Sequence, residues 1–235
     1  MSTLNVENIK NEAADSDSIQ LATDGSMTLL GNITVRDTLT AGAINRDYRP
    51  GEIIEYLTHQ CDGTTLDGAE SRSYTWPNVT AVQAFTTTYA DLTGSSITYT
   101  PPSGTKRVLY RFNWLFTDSG YGGISHYKFM IDGTEVNTAF TTLAANYPDP
   151  SSGVTVGHAR LLNAFEYVIE CDASSTDASL AQFTSWTSNK TLKIQAREYN
   201  TTYQASAHNN FWRDGAGASS PYDLKLPVLT IIAFA

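Results

Sequence analysis

Three kinds of feature are scarce in this 235-residue chain: cysteine, charge and long apolar runs. Its two cysteines, Cys61 and Cys171, are too few for a disulfide scaffold, and neither lies in the CxxC spacing of a zinc site. The longest apolar run, Ile231 to Ala235, is far shorter than the ~20 residues that span a membrane. We therefore do not expect a disulfide-rich domain, a zinc finger or a membrane-spanning segment.

Charged residues make up only 17% of the chain, against roughly 25% in typical soluble domains. The net charge is -9 and the pI is near 4.8, whereas proteins that bind nucleic acid present stripes of lysine and arginine to the phosphates. The first five residues, Met-Ser-Thr-Leu-Asn, contain neither a basic region nor an apolar one, so no signal peptide is expected. We therefore do not expect the chain to bind nucleic acid.

Motifs that carry chemistry are also missing. The chain contains no HExxH, GxSxG, GxxxxGK[ST] or GxGxxG motif. The histidines are not paired with cysteine at metal-ligand spacing, and we interpret all four as structural or surface residues: His59, His126, His158 and His208. We expect no catalysis, no metal site and no cofactor. The pairing of Cys61 with Cys171 stays open, with two free buried thiols as the favoured interpretation.

What the chain does have is threonine and 13 tyrosines, residue types that fit a pleated, half-buried surface. Two-residue alternation predicts strands at residues 52–57, 82–89, 96–100, 106–117, 127–136, 154–171, 190–199 and 224–234. Residues 62–73 are polar and are predicted to form a loop. Asp132-Gly133 predicts a type I′ hairpin. No convincing 3.6-residue period appears, so the fold class is all-β, a β-sandwich of the jelly-roll kind over residues 51–235.

The final segment, Leu224 to Phe234, is apolar on both faces, which is typical of a central strand. We expect Val228, Ile232 and Phe234 on this strand to lie at the contact of a homotrimer. Burial of apolar area in such a contact is worth roughly 25 cal/mol per Å².

Residues 1–50 differ from the rest and are predicted to be an extended arm with short strands, followed by a linker. Their apolar residues alternate in short pieces separated by turns such as Asp24-Gly25, and they are too few for a core. We expect the arm to bury them against other copies or against a partner surface, and Leu4, Val6 and Ile9 are its candidate anchoring residues. A disordered leader is the alternative.

Several stretches resemble a known group of proteins. The opening Met-Ser-Thr-Leu-Asn-Val-Glu-Asn-Ile-Lys-Asn, followed by Asp-Gly-Ser-Met-Thr-Leu (24–29) and Gly-Asn-Ile-Thr-Val (31–35), is similar to tailed-phage fibre and appendage proteins, in particular marine and cyanobacterial ones. The stretch from Phe85 to Tyr110, with its Thr-Pro-Pro-Ser-Gly-Thr-Lys-Arg-Val-Leu segment, resembles the opening of their C-terminal heads. Such heads are similar to the trimeric C1q/TNF-type jelly roll, although the collagen-like stalk of C1q is missing.

The resemblance implies a structural protein of the virion, made in the host cytoplasm: a short trimeric tail fibre that docks on other virion proteins through its arm. Its head would bind host surface polysaccharide. A capsid decoration, cement or spike protein is the alternative within the same biology. A polysaccharide depolymerase is disfavoured, because such tailspikes usually carry a repetitive β-helix.

Residues 199–222 form a longer segment than is usual for a loop without structure. Its rings and polar side chains suit a glycan, and the candidate binding residues are Tyr203, Asn209, Asn210, Phe211, Trp212, Arg213 and Asp214. Trp186 and Tyr121 are possible members of the same end of the head. The alternative is that Phe211 and Trp212 pack inward and the segment only caps the sandwich.

Overall fold

The computed structural model describes residues 8–9, 19–21, 27–29, 48–118, 122–145, 159–210 and 224–235. The chain divides into two compact units, residues 1–47 and residues 48–235. In the first unit, three short antiparallel strands form a sheet in the order β1-β2-β3: β1 (Asn8–Ile9), β2 (Ile19–Leu21) and β3 (Met27–Leu29). Ile9 lies in β1, whereas Leu4 and Val6 fall outside the described residues.

The second unit is an all-β sandwich, as the alternation predicts, and we call residues 48–235 the sandwich. The strands of its first sheet are β4 (Ile53–Gln60), β7 (Gln83–Ala84), β10 (Arg107–Asp118), β14 (Arg160–Glu170), β16 (Ala205–Ala207) and β17 (Val228–Phe234). The order is β4-β17-β10-β16-β7, and β14 pairs with the other edge of β10.

The second sheet has a long central pair flanked by short strands. Its members are β8 (Ala90–Asp91), β9 (Ile97–Tyr99), β11 (Gly123–Ile131), β12 (Thr134–Glu135), β13 (Thr141–Ala145) and β15 (Lys190–Glu198). β11 pairs with β15, with β12 and β13 on the far edge of β11 and β8 and β9 on the far edge of β15. A separate hairpin joins β5 (Thr65–Asp67) to β6 (Ser73–Thr75), and the described helices are single 3₁₀ turns at Ala69–Ser71, Asn137–Ala139 and Ala178–Leu180.

Aromatic side chains fill the space between the two sheets. Alternate residues of β10 point inward and are fully buried, and Tyr110 lies 4.9 Å from Phe129 of β11 between ring centroids. Trp114 meets Tyr127 at 5.2 Å in the same way. Fully buried rings of this size contribute more to a core than aliphatic residues do, so these facing pairs hold the sheets together.

β17 is a central strand, as its apolar character predicts. It pairs with β10 on one side and with β4 on the other. Leu229, Ile231 and Ala233 point into the core and are fully buried. The alternate residues of β17 lie on the outer face of the sheet.

The predicted turn at Asp132-Gly133 is confirmed. β11 ends at Ile131 and β12 begins at Thr134, and the two turn residues have φ angles of 48° and 80°. Positive φ at both central positions is the requirement of a type I′ turn.

One loop prediction and one strand prediction are wrong in detail. Residues 62–73 are not only a loop, because they contain β5 and the start of β6. The strand predicted over 82–89 shrinks to the two residues of β7. Alternation alone overestimates the length of a strand that forms only a short ladder. β7 is such a strand, because only two of its residues pair with β16. The two cysteines are free and buried.

Candidate functional site

β14 forms a long edge of the first sheet. Eleven of its residues run antiparallel to β10, and no other described strand pairs with its second side. On that side, Glu170 at the end of the strand forms backbone hydrogen bonds with two described residues, Ala181 and Phe183. A long unpaired edge is a template for another chain, and monomeric proteins usually protect it.

The outer face beside this edge is apolar. Register places four residues in one row across four strands: Val168 of β14, Leu109 of β10, Ile232 of β17 and Tyr56 of β4. Val168 and Tyr56, at the two ends of the row, are 48% and 57% exposed. We call these four residues the apolar row.

A second apolar pair lies further along the same face. Leu162 of β14 is the cross-strand partner of Leu115 of β10, and Leu162 is 78% exposed. Between this pair and the apolar row, Arg111 forms an ion pair with Glu166, 2.5 Å between Nε and Oε1. The face therefore carries exposed apolar area on both sides of a paired charge, and exposed apolar area can mark an interaction surface.

The three predicted trimer-contact residues lie on this outer face. Ile232 belongs to the apolar row, while Val228 and Phe234 are partly exposed at the two ends of β17. Ile232 itself is only 8% exposed, because Leu109 and Tyr56 flank it. Sequence reasoning missed Val168, Leu162 and Tyr56, although the alternation of Leu162 and Val168 on the predicted strand could have indicated them.

Three of the seven predicted glycan-binding residues are described, and they lie at the two ends of β16. Tyr203 packs beside Tyr199, 6.4 Å between centroids, at the start of β16. Asn209 lies beyond the other end of β16, where its carbonyl accepts a 2.6 Å bond from the Thr117 hydroxyl. Asn210 is the last described residue of this stretch, and Phe211, Trp212, Arg213 and Asp214 fall outside the described residues.

Trp186 lies away from this end of the sandwich. It packs in the core against Tyr99 and Phe183, and its Nε1 donates to the Ser188 carbonyl at 2.9 Å. Ser188 precedes β15, whereas Tyr199 follows it, and nine strand residues span roughly 30 Å. Trp186 therefore does not join Tyr203. Tyr121 falls outside the described residues.

The described residues also bear on metal binding and on membrane insertion. No cluster of three or more histidine, cysteine, aspartate or glutamate side chains there has the geometry of a metal site. In the same part of the chain, no helix is long and apolar enough to cross a membrane.

Comparisons with known proteins include a structural likeness to a chain of a virus particle. No family model matches the chain, and no curated protein matches it. Among solved structures, a chain from the full particle of Israeli acute paralysis virus heated to 63 degree aligns with 100% of this chain and 92% of its own length, at 10% identity and a TM-score of 0.17. That score is too low to establish a shared fold, so any function has to be argued from the residues of this chain.

Proposed function

We propose that this chain is a non-enzymatic structural protein of a virion, a short trimeric tail fibre or appendage of a tailed phage. Its arm anchors it to other virion proteins, and its sandwich faces outward to bind host surface glycan. The resemblance of residues 1–35 and 85–110 to phage appendage proteins supports the virion assignment. The observation that carries the oligomer is the apolar row, which lies beside an edge of β14 that no described strand pairs with.

The edge and the row favour a second copy of this chain as the partner. A strand edge binds another strand through its backbone N–H and C=O groups, and the apolar side chains next to it lose contact with water at the same time. The ion pair of Arg111 with Glu166 on the same face is already neutralised within one chain. In a closed cyclic trimer, this face would pack against a different, complementary surface of the neighbouring copy, and closure of the ring leaves neither surface open.

Light scattering of the full chain tests the oligomer. We expect a trimer at micromolar concentration, and we expect Val168→Asp combined with Leu162→Asp to dissociate it, since each places an unpaired charge in the contact. Both positions are exposed in one chain, so folding should survive. Ile232→Asp is less informative, because Ile232 is already buried within the chain.

Val82→Asp is the matched control, because Val82 is 40% exposed and precedes β7, which pairs with β16 and not with β14, β10 or β17. It should remain trimeric. A monomeric wild-type chain, or a double variant that stays assembled, would contradict the proposed contact.

A capsid decoration, cement or spike protein is the second candidate, and the same apolar face would serve it. A labelled map of intact particles distinguishes the two, because label on the tail supports the fibre and label on the shell supports decoration. Release of reducing ends from host polysaccharide would overturn the non-enzymatic assignment.

Glycan binding by the segment that contains Trp212 and Arg213 is tested separately. We expect Trp212→Ala with Arg213→Ala to keep a normal melting temperature and to lose adsorption to host cells. Unchanged adsorption would exclude this segment, and a large fall in melting temperature would show that its rings pack inward.

A further inference from the structure

A group of aromatic rings lies on the outer face of the second sheet. Phe140 stacks on His126, with centroids 5.8 Å apart and planes at 26°. Tyr199 meets the same imidazole edge-to-face at 6.0 Å. Phe140 is 49% exposed and Tyr199 is 52% exposed. Since rings of this size usually bury most of their area, an exposed group of them marks a contact surface.

An unneutralised cation lies next to these rings. Arg197 of β15 is the cross-strand partner of His126 of β11, and its guanidinium lies 5.1 Å from the ring centroid of Tyr89. Within the described residues, the Arg197 side chain has no hydrogen bond or ion pair, and its Nε is buried without an acceptor. The lysines of β11 and β15 all have a carboxylate partner: Lys128 with Glu135, Lys190 with Asp132 and Lys193 with Asp91.

His126 has a second unsatisfied atom at the same place. Its Nδ1 is 3.0 Å from the Thr142 hydroxyl, whereas its Nε2 is buried and has no partner among the residues described. Burial, and then the charge of Arg197, lower the pKa of His126. Buried polar groups normally find partners, so two adjacent orphan atoms call for an explanation. A ligand that supplies a negative charge for Arg197 and hydroxyl groups, which can donate to or accept from His126 Nε2, is such an explanation.

We propose that this face binds a carboxylate-bearing sugar of an acidic polysaccharide, through a platform made of Tyr89, His126, Phe140, Arg197 and Tyr199. The exposed rings match the flat C–H faces of a pyranose. A guanidinium pairs with a carboxylate through two parallel hydrogen bonds, which a neutral sugar cannot offer. An acidic peptide offers the carboxylate without a stiff apolar face for the rings.

The platform is independent of the oligomer proposed above, because it lies on the second sheet. Its five residues are not among residues 211–214, so a failure of either proposal leaves it standing. The test therefore uses binding by the purified full chain and not adsorption to cells.

The probes are oligogalacturonate, hyaluronate fragments and a sialyl oligosaccharide, each compared with its methyl ester. Esterification removes the charge and keeps the sugar ring. By titration calorimetry, we expect at least one acid to bind at least ~10-fold more tightly than its ester, the size of one charge-assisted hydrogen bond. Arg197→Gln should remove the difference in affinity between acid and ester. Tyr199→Ala should weaken the binding of both the acid and the ester.

Lys193→Gln is the matched control, because Lys193 lies on the same strand and face but is already paired with Asp91 at 2.8 Å. It should bind like the wild type, and so should Trp212→Ala with Arg213→Ala. Melting temperatures identify any variant that fails to fold. If Arg197→Gln fails to fold, the platform is tested by the weaker binding expected of Tyr199→Ala.

Four results would overturn the platform: no binding of any acid at millimolar concentration, equal binding of acids and esters, equal losses in Arg197→Gln and Lys193→Gln, or tighter binding of hexaglutamate than of the acidic sugars. The last would favour an acidic peptide as the partner.

Discussion

The Tyr99 hydroxyl donates a 2.6 Å hydrogen bond to Oε2 of Glu55, a buried carboxylate. Oε1 of the same group accepts the backbone N–H of Ala69, also at 2.6 Å. Glu55 belongs to β4 of the first sheet and Tyr99 to β9 of the second, so this contact joins the two sheets. Burial, and then the bond to Glu55, raise the pKa of the Tyr99 hydroxyl and keep it protonated as a donor.

Removal of that hydroxyl should therefore be costly. We expect Tyr99→Phe to lower the free energy of unfolding by about 1–3 kcal/mol, because the buried carboxylate loses a donor that water cannot replace. Urea denaturation measures it. Tyr167→Phe is the control, since its hydroxyl bonds to Thr138 in an exposed position, and its loss should stay below about 1 kcal/mol. Equal losses of unfolding free energy in the two variants would mean that the hydrogen bond to Glu55 stabilises the fold no more than an exposed one does.

The buried His208 predicts a loss of stability in acid. Its Nε2 is 2.9 Å from the Thr93 carbonyl, its side chain is fully buried, and burial lowers its pKa from 6.5 to about 4. Between pH 6.5 and 4, His208 is protonated in the unfolded chain but stays neutral in the folded chain. Stability should fall with pH through that window, by about 3 kcal/mol in total, and this contribution should be flat above it.

His208→Gln separates this effect from other acid-sensitive groups. Glutamine keeps an N–H that can reach Thr93 but does not titrate. The variant should be less stable near neutral pH and should show a shallower decline below pH 6.5. Unfolding free energies measured across the pH range check this, and an unchanged slope would assign the acid sensitivity to other residues.

Gly94 is held where a side chain does not fit. Its φ is 88°, and an added Cβ would lie 2.7 Å from Val79 Cγ2 and 2.9 Å from Pro227 Cγ. We expect Gly94→Ala to lower stability by about 2–4 kcal/mol, the sum of left-handed strain and overpacking. Gly133→Ala is the control, since Gly133 has a similar φ of 80° and nothing within 4 Å of the added carbon. It should cost about 1 kcal/mol.

The sandwich should fold without the arm. The core cluster of described residues lies wholly within residues 48–235, so a chain that begins at Tyr48 should keep its melting temperature. Under the proposed anchoring by Leu4, Val6 and Ile9, the same chain should be missing from particles. Mass spectrometry of purified virions decides, and normal incorporation would refute the anchoring role.

The long strands could be predicted from the sequence because their burial alternates in step with their residues. The prediction of residues 106–117 matches β10 at Arg107–Asp118, and 190–199 matches β15 at Lys190–Glu198. The interaction surfaces could not be predicted in this way. His126 and Arg197 are neighbours only through the register of two strands about 70 residues apart, and alternation within each strand carries no information about that register.

The two cysteines give the sandwich an internal measure of its own opening. Cys61 and Cys171 are buried, and burial raises the pKa of each thiol to about 12, so almost no reactive thiolate exists at neutral pH. A thiol reagent in excess can therefore react only after the surrounding strands separate. The labelling rate at each cysteine then reports how often that part of the sandwich opens, without any introduced probe.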